Sequence, residues 1–301
     1  MKKILATGMA LLAAGLLAAS LAACANHSSS SNTGSSGGSG GSGGGSSSGT
    51  SSSSGNGKKI MKTGSEVCDL LKELGADDDT VMKSFCSSAT PPATGVTTKK
   101  LSRNSSPVDV LAWLDGTTIK YYAAGYTDSG RKIPLMVSGV AFVNIETADM
   151  FRGCKALSSI DVSGFDTSEA TCLANMFDGC TGLTSLDLSS WNVSKVDTLA
   201  MMFDGCTHLS SVNLSGWDTG MVHNTICMFN GCTNLTTIYV SSGFVTTSIP
   251  DDMSGSGYMF AGCTSLVGGA GTTYSGSHTD KEYARIDGGP SSTTPGYFTA
   301  M

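Results

Sequence analysis

Met176-Phe177-Asp178-Gly179-Cys180-Thr181-Gly182-Leu183-Thr184-Ser185-Leu186-Asp187-Leu188 is one of four copies of a two-part phrase whose opening occurs five times. Its opening Met-Phe-x-Gly-Cys starts at Met150, Met176, Met202, Met228 and Met259, at intervals of 26, 26, 26 and 31 residues. A second element follows the first four openings, running from Leu157 to Val162, Leu183 to Leu188, Leu209 to Leu214 and Leu235 to Val240. A fixed period of this size means that no unit buries its apolar face alone and that neighbours stack to share a core. The expected architecture is an α/β-type repeat solenoid of stacked parallel strands with a 26-residue period.

Alternation within each strand sends Leu186 and Leu188 to the core and the residues between them to the other face. The outward row is then Asp161, Asp187, Asn213 and Tyr239, flanked by small polar residues that include Ser185 and Ser211. In stacked-repeat proteins such a face is the usual binding surface. The competing reading is a solvated face carried along by repetition. Parallel strands lie about 4.8 Å apart, so Asp161 beside Asp187 would repel, less so in salt.

Two further columns accompany the strand. Phe165, Trp191, Trp217 and, after a one-residue slip, Phe244 are expected to pack in the core at the turn, not to form an exposed aromatic row. Asp166, Asn192 and Asp218 follow them and are expected to satisfy backbone groups at that corner. Cys154, Cys180, Cys206, Cys232 and Cys263 recur once per unit as small buried residues, expected mostly as free thiols. They stack along an axis and do not converge on a point, and no Cys-x-x-Cys or paired histidine accompanies them, so no metal is expected.

Outside the repeats, the chain begins with Lys2 and Lys3 and an uncharged apolar run from Ile4 to Ala23. That is an export signal, although the run is also long enough for an anchor helix. Leu21-Ala22-Ala23-Cys24 resembles the bacterial lipobox, which implies cleavage after residue 23 and a lipid on Cys24. Removal of residues 1–23 leaves 16 basic and 24 acidic residues, a formal charge of −8. Phosphate binding needs clustered Lys and Arg, so no nucleic-acid partner is expected.

Ser28 to Gly57 contains only Ser, Gly, Thr and Asn, too little apolar surface to offset the entropy of ordering. Residues 24–57 therefore read as the lipidated Cys24 and a disordered tether, with a mean span of about 30 Å and a stretched reach of roughly 100 Å. Residues 58–106 read as a small helical segment. Its first helix runs from Ser65, a cap candidate, to Gly75, and a second is opened by Asp77 to Asp79 and runs through Val81, Met82 and Phe85. With one cysteine on each helix, Cys68 and Cys86 are either a stapling disulfide or a reduced pair. Two β-prone runs flanking Asp115-Gly116 form a hairpin, so residues 107–147 are expected to cap the array's N-terminal end. The repeats occupy 148–267 and a closing segment 268–301.

Met-Phe-x-x-Cys-x-x-Leu-x-x-Leu-Asp-Leu-Ser-x-Trp/Phe-Asp/Asn-Thr/Val-Ser, over about residues 148–267, resembles the repeat of BspA-type leucine-rich-repeat surface proteins of bacteria. The segment from Gly268 through Asp280-Lys-Glu-Tyr283, Asp287 and Tyr297-Phe298-Thr299 is similar to the closing segment that follows such repeats. The resemblance implies a leucine-rich-repeat-like fold on the cell envelope, anchored in a membrane through Cys24. It also implies adhesion or protein–protein contact with a protein or matrix ligand on host or other cells, without enzymatic activity. A structural or antigenic coat without a dedicated ligand is the alternative. The array here is short, and the insertion around Ile249-Pro250-Asp251 interrupts its fourth unit. Of the histidines, His27, His208, His223 and His278, none neighbours a serine or cysteine in a nucleophile setting, and no cofactor is implied.

Overall fold

The computed structural model describes residues 62–102, 106, 108–127, 129, 132–134 and 148–301. Cys24, the export signal, the tether and residues 135–147 of the expected cap lie outside the described residues. The described chain is built mostly of strands in parallel and mixed sheets, with few helices. An α/β class anticipates a helix between strands; here turns connect them inside the repeats, and the arrangement is β-rich.

Helix α1 (Gly64–Lys72) starts at Thr63, two residues before the expected cap. The Thr63 side chain accepts from the Glu66 N–H while Glu66 reaches back to the Thr63 N–H, a capping box that satisfies two end donors. Val67, Cys68 and Leu71 form the buried stripe, and Gly75, at φ +81°, lets the chain leave.

The second expected helix is absent. Val81 and Met82 are exposed, and Lys83–Ser87 is a strand, β1. Asp78 accepts from the Thr80 N–H and hydroxyl in a turn that precedes it. Lys-Ser-Phe-Cys-Ser also fits a period of two, and pairing on both edges overrides weak helical propensity. Strand β2 (Lys99–Lys100) pairs antiparallel with β3 (Val110–Asp115), which forms the expected hairpin with β4 (Thr118–Ala123). Gly116, at φ +60°, occupies the tight turn. Strand β1 pairs parallel with β4 and with β6 (Leu157–Ile160), the first repeat strand, so the sheet order is β2-β3-β4-β1-β6. The cover over the array is therefore β1 backed by the hairpin, with Phe85 packed against Tyr121, Phe151 and Phe165. A short pair, β5 (Ile133–Pro134) with β7 (Phe165–Asp166), adds to this end.

A second sheet contains β8 (Ser185–Asp187), β9 (Ser211–Asn213), β10 (Thr237–Val240) and β11 (Phe298–Ala300), all parallel, in the order β11-β10-β9-β8. Behind it, each Met-Phe-x-Gly-Cys turn bonds to its copy in the next unit. The N–H groups of Phe151, Phe177, Phe203 and Phe229 donate to the carbonyls of Met176, Met202, Met228 and Met259 at 2.8–3.0 Å. The phenylalanine rings follow that backbone into a parallel column, Phe151-Phe177-Phe203-Phe229-Phe260, with centroids 5.2–5.8 Å apart and planes within 3–6°. Full burial of one such ring stabilises by about 1.5–3 kcal/mol, and each ring pair adds about 0.5–1.5 kcal/mol.

The cysteine column is buried and its thiols are free. Four of its five cysteines donate to a phenylalanine carbonyl one unit back: Cys180 to Phe151, Cys206 to Phe177, Cys232 to Phe203 and Cys263 to Phe229, at 3.0–3.1 Å. Burial pushes these four thiols well above their ordinary pKa, to about 12 for Cys263, which keeps the S–H donor in place. Trp191 and Trp217 are core residues as expected, and their indole N–H groups donate to the carbonyls of Val162 and Leu188 at 3.2 and 3.0 Å. Asp166, Asn192 and Asp218 accept from the N–H two residues on, as expected of that corner.

Gly153, Gly179, Gly205, Gly231 and Gly262 all have φ between +68° and +78°. A Cβ on Gly205 would lie 3.9 Å from its nearest neighbour, so only the backbone opposes a side chain there. Gly205→Ala is expected to destabilise by about 1–2 kcal/mol, read as a lower denaturant midpoint with an unchanged slope.

The insertion in the fourth unit forms helix α2 (Met253–Ser256), capped by Asp252. The Gly255 carbonyl accepts from the Thr225 N–H and hydroxyl, which keeps the longer unit attached to the one before it.

Candidate binding face

The exposed face of the second sheet carries two rows set by strand register. Ser185 pairs with Ser211 and Ser211 with Thr237, while Asp187 pairs with Asn213 and Asn213 with Tyr239. Alternation places Leu186, Val212 and Ile238 on the buried side between them. Asp187 and Ser185 are exposed, and Ser211, Asn213 and Tyr239 are half-buried. The second row continues into the closing segment, because Tyr239 pairs with Thr299 on β11. The signal for Thr299 was the short β-prone run Tyr297 to Ala300 after Gly296, with Phe298 turned inward.

Asp161 does not join this row. It follows β6, which is in the other sheet, and its N–H donates to the carbonyl of Phe85. Between β6 and β8, Ser158 takes the Thr184 N–H at 3.3 Å and the Thr184 hydroxyl at 3.2 Å, and no ladder forms between these strands. The ladder partner of β6 is β1, and the ladder-paired polar row is Asp187-Asn213-Tyr239-Thr299, with Asp161 the equivalent position of the first unit.

One acceptor of each acid or amide side chain is already engaged. The Oδ1 atoms of Asp161, Asp187 and Asn213 accept from the N–H groups of Ser163, Ser189 and Ser215 at 2.9–3.1 Å, closing the turn after each strand. Hydrogen bonds from the Ser189 side chain, then from its backbone and from the Asn213 side chain, hold the Asp187 carboxyl below the usual value despite partial burial. The row therefore offers a fixed carboxylate, an amide, a phenol and a hydroxyl in register.

A different polar column, at the variable position of Met-Phe-x-Gly-Cys, was not singled out from the sequence. Arg152 donates to Asp178 at 2.9 Å and Asn230 to Asp204 at 2.9 Å. Burial raises both carboxyls, with Arg152 opposing it at Asp178 and Asn230 opposing it at Asp204, whose pKa reaches about 6. The signal was present as Arg, Asp, Asp, Asn and Ala at the same place in five copies. This column closes on itself through its own pairs, whereas the strand face presents its groups outward.

Cys68 and Cys86 are both free thiols. Cys68 lies in the core with Phe85, and Cys86, next along β1, points to the opposite side of that strand. Alternation along β1 is what separates the pair. Among the described residues no group of three or more His, Cys, Asp or Glu side chains is placed to hold a metal ion, and no helix is long and apolar enough to cross a membrane.

Residues 145–269, which span the five repeat openings, match the model of a family described as a Mycoplasma protein of unknown function, DUF285. No curated protein and no solved structure matches the chain.

Proposed function

We propose that the chain is an envelope lipoprotein, anchored through a lipid on Cys24, that presents a leucine-rich-repeat-like solenoid of the BspA type for adhesion or protein–protein contact. The observation that carries this reading is the outward row Asp187-Asn213-Tyr239-Thr299. Core positions repeat with little change from unit to unit, while this row alters its chemistry at every step. Hydrogen-bonding groups held in register beside a half-buried aromatic ring suit recognition of a protein or matrix surface.

The test is capture of surface partners by intact cells displaying the full chain, followed by the double variant Asp187→Ala with Tyr239→Ala. The double variant is expected to lose at least tenfold in affinity for whatever the unmodified chain captures, with unchanged display on the cell. Unchanged binding would remove the strand face from consideration. Replacing Cys24 by alanine is expected to release the protein from the membrane fraction.

A second reading, a coat protein without a dedicated ligand, is favoured by one observation. Asp187 and Asn213 each commit Oδ1 to the turn that ends its own strand, which explains an acid or amide there without a ligand. Absence of any captured partner across matrix proteins, glycans and cell surfaces would favour that reading.

A further inference from the structure

The ladder thiols follow one rule that the first unit cannot obey. Cys180, Cys206, Cys232 and Cys263 each donate to the phenylalanine carbonyl of the preceding unit. No Met-Phe-x-Gly-Cys phrase precedes Cys154, and its thiol instead lies close enough to that of Cys68 on α1 for each to shift the other's pKa, both within one buried cluster. The Cys68 Sγ also donates to the Arg152 carbonyl at 3.1 Å, which seats it over the turn that holds Cys154. Both sulfurs are buried, but Cys68 forms part of the wall of a surface recess shared with Ser65, Asp69, Lys72, Asp149 and Arg152. Of the two cysteines, Cys68 is the one on that recess.

We propose that Cys68 and Cys154 are a disulfide-forming pair that covalently fastens α1 to the first repeat. The closing step is thiol–disulfide exchange with a low-molecular-weight disulfide. The Cys68 thiolate attacks one sulfur of the reagent and releases the first reagent thiolate. Cys154, giving its proton to that thiolate, then attacks the Cys68 sulfur and displaces the second. One reagent S–S bond is reduced to two thiols as one protein S–S bond forms, a two-electron oxidation of the pair.

The two thiols are suited to these unequal roles. The Cys154 hydrogen bond, opposed by burial and supported by the Lys72 ammonium, draws the Cys68 thiol below its ordinary pKa. The same contact, together with burial, raises Cys154 well above it. The attacking sulfur is thus the one on the recess. Cys180, Cys206, Cys232 and Cys263 are fully buried and none of them lines this recess.

The full chain, purified reduced, is incubated folded with glutathione disulfide, alkylated, and mapped by mass spectrometry without reduction. A Cys68–Cys154 linked peptide is expected, with Cys180, Cys206, Cys232 and Cys263 recovered reduced. Cys68 and Cys154 are 86 positions apart, and closing a loop of that size is expected to raise Tm by roughly 10 °C, reversed by dithiothreitol. Cys154→Ala risks the core of the first repeat, so the linkage is read in the unmodified chain and in Cys86→Ser, where it is expected to persist. A Cys68–Cys86 linkage would overturn the proposal. So would glutathione retained on Cys68 without a bridge, or two thiols left reduced while the same reagent oxidises them in urea.

Discussion

Asp287→Ala is expected to detach the closing segment from the repeats while the upstream units stay folded. The carboxylate of Asp287 accepts from the N–H groups of Ala270, Thr272, Gly289 and Gly296 at 2.8–3.2 Å and from the Thr272 hydroxyl at 2.6 Å. It draws together three parts of the segment that share no regular secondary structure. Alanine would leave several of those donors unpaired where Asp287 is now only 8% exposed, and each buried unsatisfied group costs about 1–3 kcal/mol. A total of about 3–5 kcal/mol exceeds what β11 gains from a three-residue pairing. Hydrogen exchange should show protection lost across residues 268–301 and at β10, whose edge is uncovered, with little change at β8. Equal protection in the variant would show that the carboxylate is dispensable.

The same group gives a pH dependence. Burial alone would raise the Asp287 pKa, but the Thr272 hydroxyl and the N–H groups of Thr272, Gly289 and Gly296 more than offset it and bring it to about 2. A carboxyl depressed on folding stabilises fully above its unfolded pKa of about 4 and loses that contribution as pH falls toward the folded value. Fraying of the closing segment is therefore expected between about pH 4 and pH 2. Asp287→Asn should show less protection at neutral pH and no such transition.

Phe203→Ala, at the middle of the ring column, is expected to be strongly destabilising. Phe203 is fully buried and stacks on Phe177 at 5.6 Å and Phe229 at 5.2 Å, so the variant removes two ring contacts and leaves a cavity between units. The expected loss is about 3–5 kcal/mol, or roughly a 10 °C fall in Tm. Because each unit contacts only its neighbours, denaturant unfolding should separate into two transitions at this junction. Phe203→Leu, which restores most of the volume, should recover a single transition at a smaller loss. A single transition in Phe203→Ala with an unchanged midpoint would mean that the column does not couple the units.

The columns that share a residue type were legible because identical chemistry recurs at a fixed spacing. The cysteines, the indoles and the corner acids such as Asp166 all occupy their expected environments. What escaped depends on pairing between distant segments. Lys83–Ser87 could be assigned to a strand only by knowing that β4 and β6 flank it, and Thr299 joins the polar row only because the C-terminus returns to β10. Shared backbone without shared chemistry was equally invisible. Asp149, Asn175, Met201, Cys227 and Tyr258, each just before a Met-Phe pair, all have φ between 54° and 64°, although only the first two belong to types that favour it. The strand face itself was readable by alternation, but that β6, the strand before Asp161, takes β1 as its ladder partner was not.

The seams between Met-Phe-x-Gly-Cys turns are interchangeable: a phenylalanine N–H, a ring and a thiol meet the same three partners at each of several junctions. Adding or removing one whole 26-residue unit would thus rejoin the same three contacts across the new seam, provided both ends keep their covers. The length of the outward rows therefore follows the number of units, while any single residue within a seam is tightly constrained.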